Sequence, residues 1–125
     1  METPSVPLRV LIVEDDASNS EVLSLVLEMA GHHVSTAATA KEALVRAAAD
    51  QPSVVLLDLG LPDGDGGSIT ATLRESLPAG ARIIITSGTS VDAAESRRLG
   101  VDGVLEKPFD PERLLAVLAG DRTFA

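Results

Sequence analysis

The sequence predicts an α/β fold in which a parallel sheet of five strands is covered by helices on both faces. Short apolar runs alternate along the chain with longer segments of helical period. The runs at 8–13 and 53–57 are almost uniformly apolar, as expected of strands buried on both faces. Repeated βα units of this length imply parallel strands joined by right-handed crossovers.

The elements follow from this alternation. Strands are predicted at 8–13, 33–37, 53–57, 82–86 and 101–105, and helices at 18–30, 40–49, 65–76, 90–99 and 111–119. Three glycines lie just past helices, where C-terminal caps are expected: Gly31, Gly80 and Gly100. Pro111 takes a first helical position, where its missing N–H does no harm. The strands at 8–13 and 53–57 are expected at the centre of the sheet, and the more polar strand at 33–37 at an edge.

Two helices carry apolar residues at helical spacing. The helix at 18–30 has a stripe formed by Val22, Leu23, Leu25, Val26 and Met29. The last helix has a face formed by Leu114, Leu115, Val117 and Leu118, which we interpret as core, with a partner or dimer face as the alternative.

Length and composition indicate one globular domain. The chain has 125 residues, 45% of them hydrophobic, which is enough for a single core. We expect a leader at 1–7, the domain at 8–120 and a tail at 121–125. METPSVP lacks the regions of a secretory signal, no apolar run is long enough to span a membrane, and cysteine is absent. These features favour a cytoplasmic protein.

The formal net charge of −9 restricts the class of partner. It disfavours direct nucleic-acid binding, which uses basic groups against phosphates, and binding to an anionic membrane surface. Solubility alone explains much of such acidity. The two aromatic residues, Phe109 and Phe124, provide no stacking platform for bases or a flavin.

Carboxylates follow two predicted strands. Glu14, Asp15 and Asp16 come directly after 8–13, and Asp58 ends the third strand. Asp16 or Ser18 can cap the next helix, but capping does not account for three consecutive acids that repel one another. Alone, Asp58 would be a turn residue. Because carboxyl ends of parallel strands open into one crevice, these acids together indicate a site for a hard divalent cation.

Two further segments follow strands. Glycines and Pro62 predict an irregular loop over 58–66, in which Gly60 can offer only its backbone. In ITSGTS at 85–90, Thr86, Ser87 and Gly88 follow an Ile-rich strand, where a hydroxyl can donate to a phosphoryl oxygen and Gly88 permits close approach of its N–H. The alternative is a helix cap, expected at Thr89 or Ser90, and both roles can coexist.

Lys107 and Pro108 follow the last predicted strand. A lysine there is usually a solvated surface charge. A cis bond before Pro108 is compatible with a rigid turn, which would aim the ammonium across the crevice towards Asp58.

The acids after the first strand, Asp-x-x-x-Pro after the third, Ser-Gly after the fourth and Lys-Pro-Phe after the fifth resemble a response-regulator receiver domain over roughly 8–120. The resemblance implies a flavodoxin-like fold with strand order 2-1-3-4-5. It implies that Asp58 accepts a phosphoryl group from a histidine kinase, and that Mg²⁺ is bound by a protein ligand set. The set comprises Glu14, Asp15, Asp58 and the Gly60 carbonyl.

The same resemblance implies that Ser87, Gly88 and Lys107 contact the phosphoryl group, and that the Lys107–Pro108 peptide is cis. The family usually has an aromatic residue three positions before the lysine, where this chain has Val104. A ring that rotates on phosphorylation is therefore absent from that position. Partners implied are a histidine kinase or histidine phosphotransfer protein, with a receiver homodimer or a downstream effector protein as further candidates.

The resemblance makes the chain a signalling protein that catalyses only its own phosphorylation and dephosphorylation. The main alternative is a Mg²⁺-dependent aspartyl-phosphate phosphohydrolase, which would share Asp58 and Lys107 but needs a second acid and a substrate cap. A flavodoxin-like electron carrier is disfavoured by acids that would repel a flavin phosphate. A pseudo-receiver that only binds partners is disfavoured by the complete set of acid, hydroxyl and lysine.

Overall fold

A computed structural model describes residues 7–60, 66–88 and 90–120. The predicted leader, apart from residue 7, and the predicted tail lie outside this part. The strands are β1 Arg9–Val13, β2 His33–Ala37, β3 Val54–Asp58, β4 Arg82–Ser87 and β5 Gly103–Glu106. The helices are α1 Ala17–Met29, α2 Ala40–Asp50, α3 Gly66–Ser76, α4 Ala93–Leu99 and α5 Pro111–Leu118.

The five strands form one parallel sheet in the order β2-β1-β3-β4-β5, which confirms the predicted fold. All residues of β3 are buried, as expected of the central strand, whereas β2 pairs only with β1 and lies at an edge. Because all strands are parallel, their carboxyl ends lie together along one side of the sheet. This side, which runs across the ends of all five strands and is not an edge strand, is called the site edge below. The amino ends of the strands share the opposite edge.

Two apolar clusters cover the two faces of the sheet. On one face, α2 and α3 pack Ala43, Ala47 and Leu73 against alternate strand residues. On the other face, α1 and α5 pack Leu27 and Leu114 against the remaining strand residues. Val117 and Leu118 join the second cluster, so the apolar face of α5 is core. Burying a leucine side chain contributes about 1.5–3 kcal/mol, so these layers hold the site edge in place.

Local signals set most helix ends. Asp16 caps α1 by accepting the N–H of Asn19, and Pro111 begins α5 directly after the cap residue Asp110. Of the three glycines expected at C-terminal caps, Gly100 caps α4 with φ 73°, and Gly31, with φ 96°, directly follows the cap residue of α1. Gly80 also has positive φ but lies four residues beyond the end of α3, so the cap predicted there is wrong.

Helix α4 begins later than predicted. Its cap is Asp92, whose carboxylate accepts the N–H of Glu95, so the cap predicted at Thr89 or Ser90 is wrong. Because Asp92 has an extended backbone with φ −81° and ψ 174°, the helix cannot include it. Strand β5 also begins two residues later than predicted, at Gly103.

The stripe predicted on α1 is only partly buried. Leu23 and Val26 pack against the core. Val22, Leu25 and Met29 are exposed, at 61%, 59% and 80% of their maximum area. Residues on adjacent faces of one helix cannot all reach the same sheet, and Leu27 takes the central buried position. The three exposed residues, called the α1 apolar face below, lie three and four positions apart on one side of the helix.

Within the described ranges, every helix is too short or too polar to cross a lipid bilayer.

His32 connects the end of α1 to the start of β1. Its Nδ1 accepts the N–H of Leu8 at 3.0 Å, and the residue is buried. Burial, together with the neighbouring charge of His33, lowers the pKa of His32 below its ordinary value. The folded state therefore favours neutral imidazole, and a protonated Nδ1 could no longer accept this bond.

We predict that the free energy of unfolding falls as the pH drops below about 6.5, because the unfolded chain then binds a proton that folded His32 resists. His32→Asn keeps an acceptor oxygen near the Nδ1 position but cannot titrate. Urea unfolding at about pH 7.5 and about pH 5 should show a smaller loss of stability in His32→Asn than in the wild type. His33→Asn removes only the smaller cause of the shift and should therefore keep most of the acid loss of the wild type. An equal acid loss in His32→Asn and the wild type would contradict the assignment.

Candidate functional site

Four predicted site residues from separate segments lie at the site edge because each follows or ends a strand of the same parallel sheet. Glu14 follows β1, Asp58 ends β3, Ser87 ends β4 and Lys107 follows β5. Strand register aligns Asp58 with Thr86 and Ser87 with Glu106. The order of strands thus brings together residues that are far apart in sequence.

Three carboxylates form the acidic part of the site. One oxygen from each of Glu14, Asp15 and Asp58 lies within 4.8 Å of the others. Glu14 and Asp58 are buried, with 5% and 8% of their area exposed, while Asp15 faces solvent. Asp16 does not join them, because its carboxylate caps α1.

This donor set fits a hard divalent cation. Oxygens on opposite sides of such an ion are about 4–5 Å apart when each bond is about 2.0–2.6 Å long. The acidic group has that spacing, and carboxylate oxygen is a ligand that these cations prefer. An acidic cluster of this kind can therefore hold a divalent metal.

Lys107 supplies the positive charge of the site. Its Nζ lies 3.2 Å from Glu14 Oε1 and 3.5 Å from Asp58 Oδ1. The lysine side chain is about one-third exposed, at 31%, whereas that of Glu14 is 4% exposed. The Lys107–Pro108 peptide is cis. The ammonium thus bridges two buried carboxylates that would otherwise repel each other.

Backbone groups fix the orientation of both buried acids. The N–H of Asp16 donates to Glu14 Oε2 at 3.2 Å, and the N–H of Gly60 donates to Asp58 Oδ1 at 3.1 Å. A methyl group added at Gly60 would lie 3.8 Å from Asp58 Oδ1, which is an ordinary van der Waals contact, so there is room for a Cβ beside the carboxylate.

The electrostatic state of Glu14 reflects this crowding. Burial raises its pKa above the ordinary value, and the negative charge of Asp58 raises it further. The bond from the Asp16 N–H and the charge of Lys107 act in the opposite direction. A cation near Glu14 therefore stabilises its ionised form.

The remaining predicted site residues lie at the end of β4, in the loop after it and on β5. Ser87 is buried, and its carbonyl accepts the N–H of Lys107 at 2.6 Å, which links the loops after β4 and β5. Gly88 is exposed, with no atom within 4 Å of where a Cβ would lie. Val104 is half-buried and lines a groove of about 690 Å³ between α4 and α5. Residues 61–65 of the loop predicted over 58–66, which include Pro62, lie outside the described residues, and so does Thr89.

Two contacts escaped the sequence reasoning. The ammonium of Lys107 lies closer to Glu14 than to Asp58, although only Asp58 was expected to attract it. Arg74 and Asp102 form an ion pair at the opposite edge, with an N–O distance of 2.6 Å. Neither contact can be predicted from a sequence motif, because the partners are far apart in sequence and only the fold brings them close.

A model of the response regulator receiver domain family matches residues 10–119. The chain is 36% identical over 109 residues to the transcriptional regulatory protein KdpE of Mycobacterium tuberculosis, covering 87% of this chain and 48% of that protein. It is 35% identical over 111 residues to the DNA-binding dual master transcriptional regulator RpaA of Synechocystis, covering 86% and 46%. The chain thus spans less than half the length of these relatives.

Solved structures show the same fold. The chemotaxis protein CheY4 of Vibrio cholerae superimposes with a TM-score of 0.83 at 31% identity, over 90% of this chain and 97% of that one. A response regulator from Burkholderia pseudomallei superimposes with a TM-score of 0.79 at 31% identity, over 88% and 65%. The Burkholderia structure contains a phosphorylated aspartic acid, a calcium ion and citrate.

We predict that Lys107→Met raises the pKa of Glu14 further, because the variant removes the cation that stabilises the Glu14 carboxylate. Following the side-chain carboxyl resonance of Glu14 by NMR across a pH series measures the change. Lys41→Met, on the exposed start of α2, is the matched control and should leave that titration unchanged. An unaltered Glu14 titration in Lys107→Met would show that the ion pair does not form in solution.

Proposed function

This chain belongs to the response regulator receiver domain family, and from that premise we propose that Asp58 is its phosphoacceptor. The family serves two-component signalling and is not an enzyme family. We infer that the only chemistry of this chain is phosphorylation and dephosphorylation of its own aspartate, with no turnover of a separate substrate. We propose that the biological effect of the whole protein comes from the downstream partner that this domain regulates.

The observation that carries the proposal is the environment of Asp58. Its carboxylate is buried at the site edge, Lys107 Nζ lies 3.5 Å away, and one oxygen from each of Glu14 and Asp15 lies within 4.8 Å of an Asp58 oxygen. An incoming phosphoryl group carries up to about two negative charges spread over three oxygens, and cations must neutralise them. The arrangement supplies one cation directly and the ligands for another.

The transfer step is an in-line displacement. One oxygen of Asp58 attacks phosphorus of a phosphohistidine, forming the O–P bond of an acyl phosphate while the P–N bond breaks. The electron pair of that bond stays with the imidazole nitrogen, which takes a proton from solvent. The ammonium of Lys107 neutralises a phosphoryl oxygen, and the N–H of Gly60 keeps the attacking carboxylate oriented.

We propose Mg²⁺ as the divalent cation of the acidic cluster. Glu14, Asp15 and Asp58 would hold it with the carbonyl of Gly60, and it would supply charge neutralisation at the phosphoryl oxygens. Oxygen ligands and a partly open site suit Mg²⁺, which keeps several waters. The raised pKa of Glu14 is consistent with a carboxylate placed to gain from a cation.

Ser87 and Gly88 are the proposed sensors of the phosphoryl group. Ser87 is buried at the end of β4, next to the strand that ends in Asp58, so its hydroxyl is placed to donate to a phosphoryl oxygen. The new charge shifts a pre-existing equilibrium of the loop that leads to α4. Val104 has no ring to rotate, so the shift must be read from the backbone and from α4 itself.

The proposed phosphodonor is a histidine kinase or a histidine phosphotransfer protein in the cytoplasm. The α1 apolar face starts two turns from Asp16 and is flanked by Glu21 and Glu28, so it fits a partner helix with apolar and basic residues. A downstream effector protein or a second receiver is the proposed output partner, and we expect no direct contact of this domain with nucleic acid.

We predict that acetyl phosphate with Mg²⁺ labels the wild-type protein at residue 58 and that Asp58→Asn reduces labelling to background, because an amide cannot form the acyl phosphate. Intact-mass spectrometry measures the added phosphoryl group. Asp50→Asn, at the end of α2, is the control and should label normally. Undiminished labelling in Asp58→Asn would place the phosphoacceptor elsewhere.

We predict that Leu25→Glu slows phosphoryl transfer from a phosphorylated donor protein by about tenfold or more, because the apolar contact on α1 is lost. Labelling by acetyl phosphate should stay at the wild-type rate, since the small donor needs no docking surface. Val45→Glu, at a comparably exposed valine on α2, is the matched control. Equal transfer rates in Leu25→Glu and the wild type would remove the α1 apolar face from the docking surface.

A further inference from the structure

Helix α4 is held mainly at one end. None of its seven residues is buried, so apolar packing contributes little to its position. Gly100 ends the helix with φ 73°, and its N–H donates to the carbonyls of Ser96 and Arg97. The helix therefore depends on polar contacts with its neighbours.

Two side chains of α3 bind the last carbonyls of α4 and its cap. The hydroxyl of Thr70 donates to the carbonyl of Leu99 at 2.9 Å, and Nη2 of Arg74 donates to the carbonyl of Gly100 at 3.0 Å. Thr70 and Arg74 are four positions apart and lie on one side of α3. Together they bind two of the carbonyls that a helix end leaves without partners.

Arg74 also ties this end of α4 to the central sheet. Its Nη1 donates to the carbonyl of Ala81 at 2.9 Å, and its Nη2 donates to Asp102 Oδ2 at 2.6 Å. The same Asp102 oxygen accepts the N–H of Ile83 at 2.8 Å, within β4. With 37% and 36% of their side chains exposed, Arg74 and Asp102 gain little from the ion pair alone. The hydrogen bonds from Arg74 and Asp102 to backbone groups therefore contribute most to holding this end of α4 against the sheet.

The other end of α4 is attached to the candidate site by backbone. Only residues 88–92 separate Ser87 from the helix. The cap of that end, Asp92, bonds within α4 itself, to the N–H of Glu95. Gly88, in the same connection, is exposed and has open space beside it. Ser87 and the start of α4 are therefore joined through a short backbone connection.

We propose that Thr70 and Arg74 form a pivot, so that phosphorylation of Asp58 swings the start of α4 while its C-terminal end stays in place. This inference rests on the proposed function and specifies how the site is read. The helix is about 10 Å long, so a small displacement at Ser87 becomes a change of helix angle on the outer surface. Thr70 and Arg74 are positioning residues, at the opposite edge from the chemistry.

Hydrogen exchange with and without beryllofluoride and Mg²⁺, a mimic of the phosphoryl group, tests the pivot. In the wild type we expect altered amide exchange at 88–95 and unchanged exchange at 99–103. Arg74→Met should speed exchange at 99–103 roughly tenfold and extend the beryllofluoride effect to those residues. Thr70→Val should do the same to a smaller degree and carries the test if Arg74→Met does not fold. Arg46→Met, on α2, is the control and should match the wild type.

Labelling by acetyl phosphate separates the two possible failures. Each variant should label at Asp58 at the wild-type rate, because the pivot touches no reacting atom. If Asp58 labels but beryllofluoride alters 99–103 as strongly as 88–95 in the wild type, the pivot is wrong and the phosphoacceptor stands. The pivot is equally wrong if both α3 variants leave exchange at 99–103 unchanged. If the wild type does not label at all, the proposed function itself fails.

Discussion

Repulsion among carboxylates at one edge of the sheet is the constraint on which the site depends. Glu14 and Asp58 are both buried, and two like charges about 4 Å apart cost on the order of 4 kcal/mol at an effective dielectric constant near 20. Lys107 offsets part of this cost through contacts with both acids. In the proposed function, a divalent cation would offset more of this repulsion, and the phosphoryl group would add negative charge that the cation and Lys107 must neutralise. Binding, phosphorylation and switching thus share one electrostatic problem.

The fold keeps this crowded edge separate from the parts that hold the molecule together. At the opposite edge, long side chains bind the carbonyl ends of helices: Arg9 to Asp50, Gln51 to Ser76, Arg74 to Gly100, and Arg82 to Val117 and Leu118. Such bonds satisfy groups that helix ends leave unpaired. The loops at the site edge can then respond to charge without loosening the core, and α4 joins the two regions.

Sequence patterns predicted the fold and the acidic site because both follow from strand ends. Buried runs locate the strands, and parallel order brings Glu14, Asp58 and Lys107 together. The start of α4 was mispredicted because several nearby residues can cap a helix with energies that differ by only about 1 kcal/mol. The α1 apolar face was hidden in a longer apolar stripe. Arg74 gave no signal, since its partners Gly100 and Asp102 lie 26 and 28 residues away.

Paramagnetic Mn²⁺ tests the central claim most directly, because it replaces Mg²⁺ at oxygen sites and broadens nearby amide resonances. We expect broadening at 14–16, 58–60 and 87–88 that excess Mg²⁺ reverses, with 100–102 at the opposite edge unaffected. Asp15→Asn, which removes an exposed ligand without disturbing the core, should weaken the effect. Broadening spread evenly over the acidic surface, or centred away from Asp58, would contradict a shared cation at this edge.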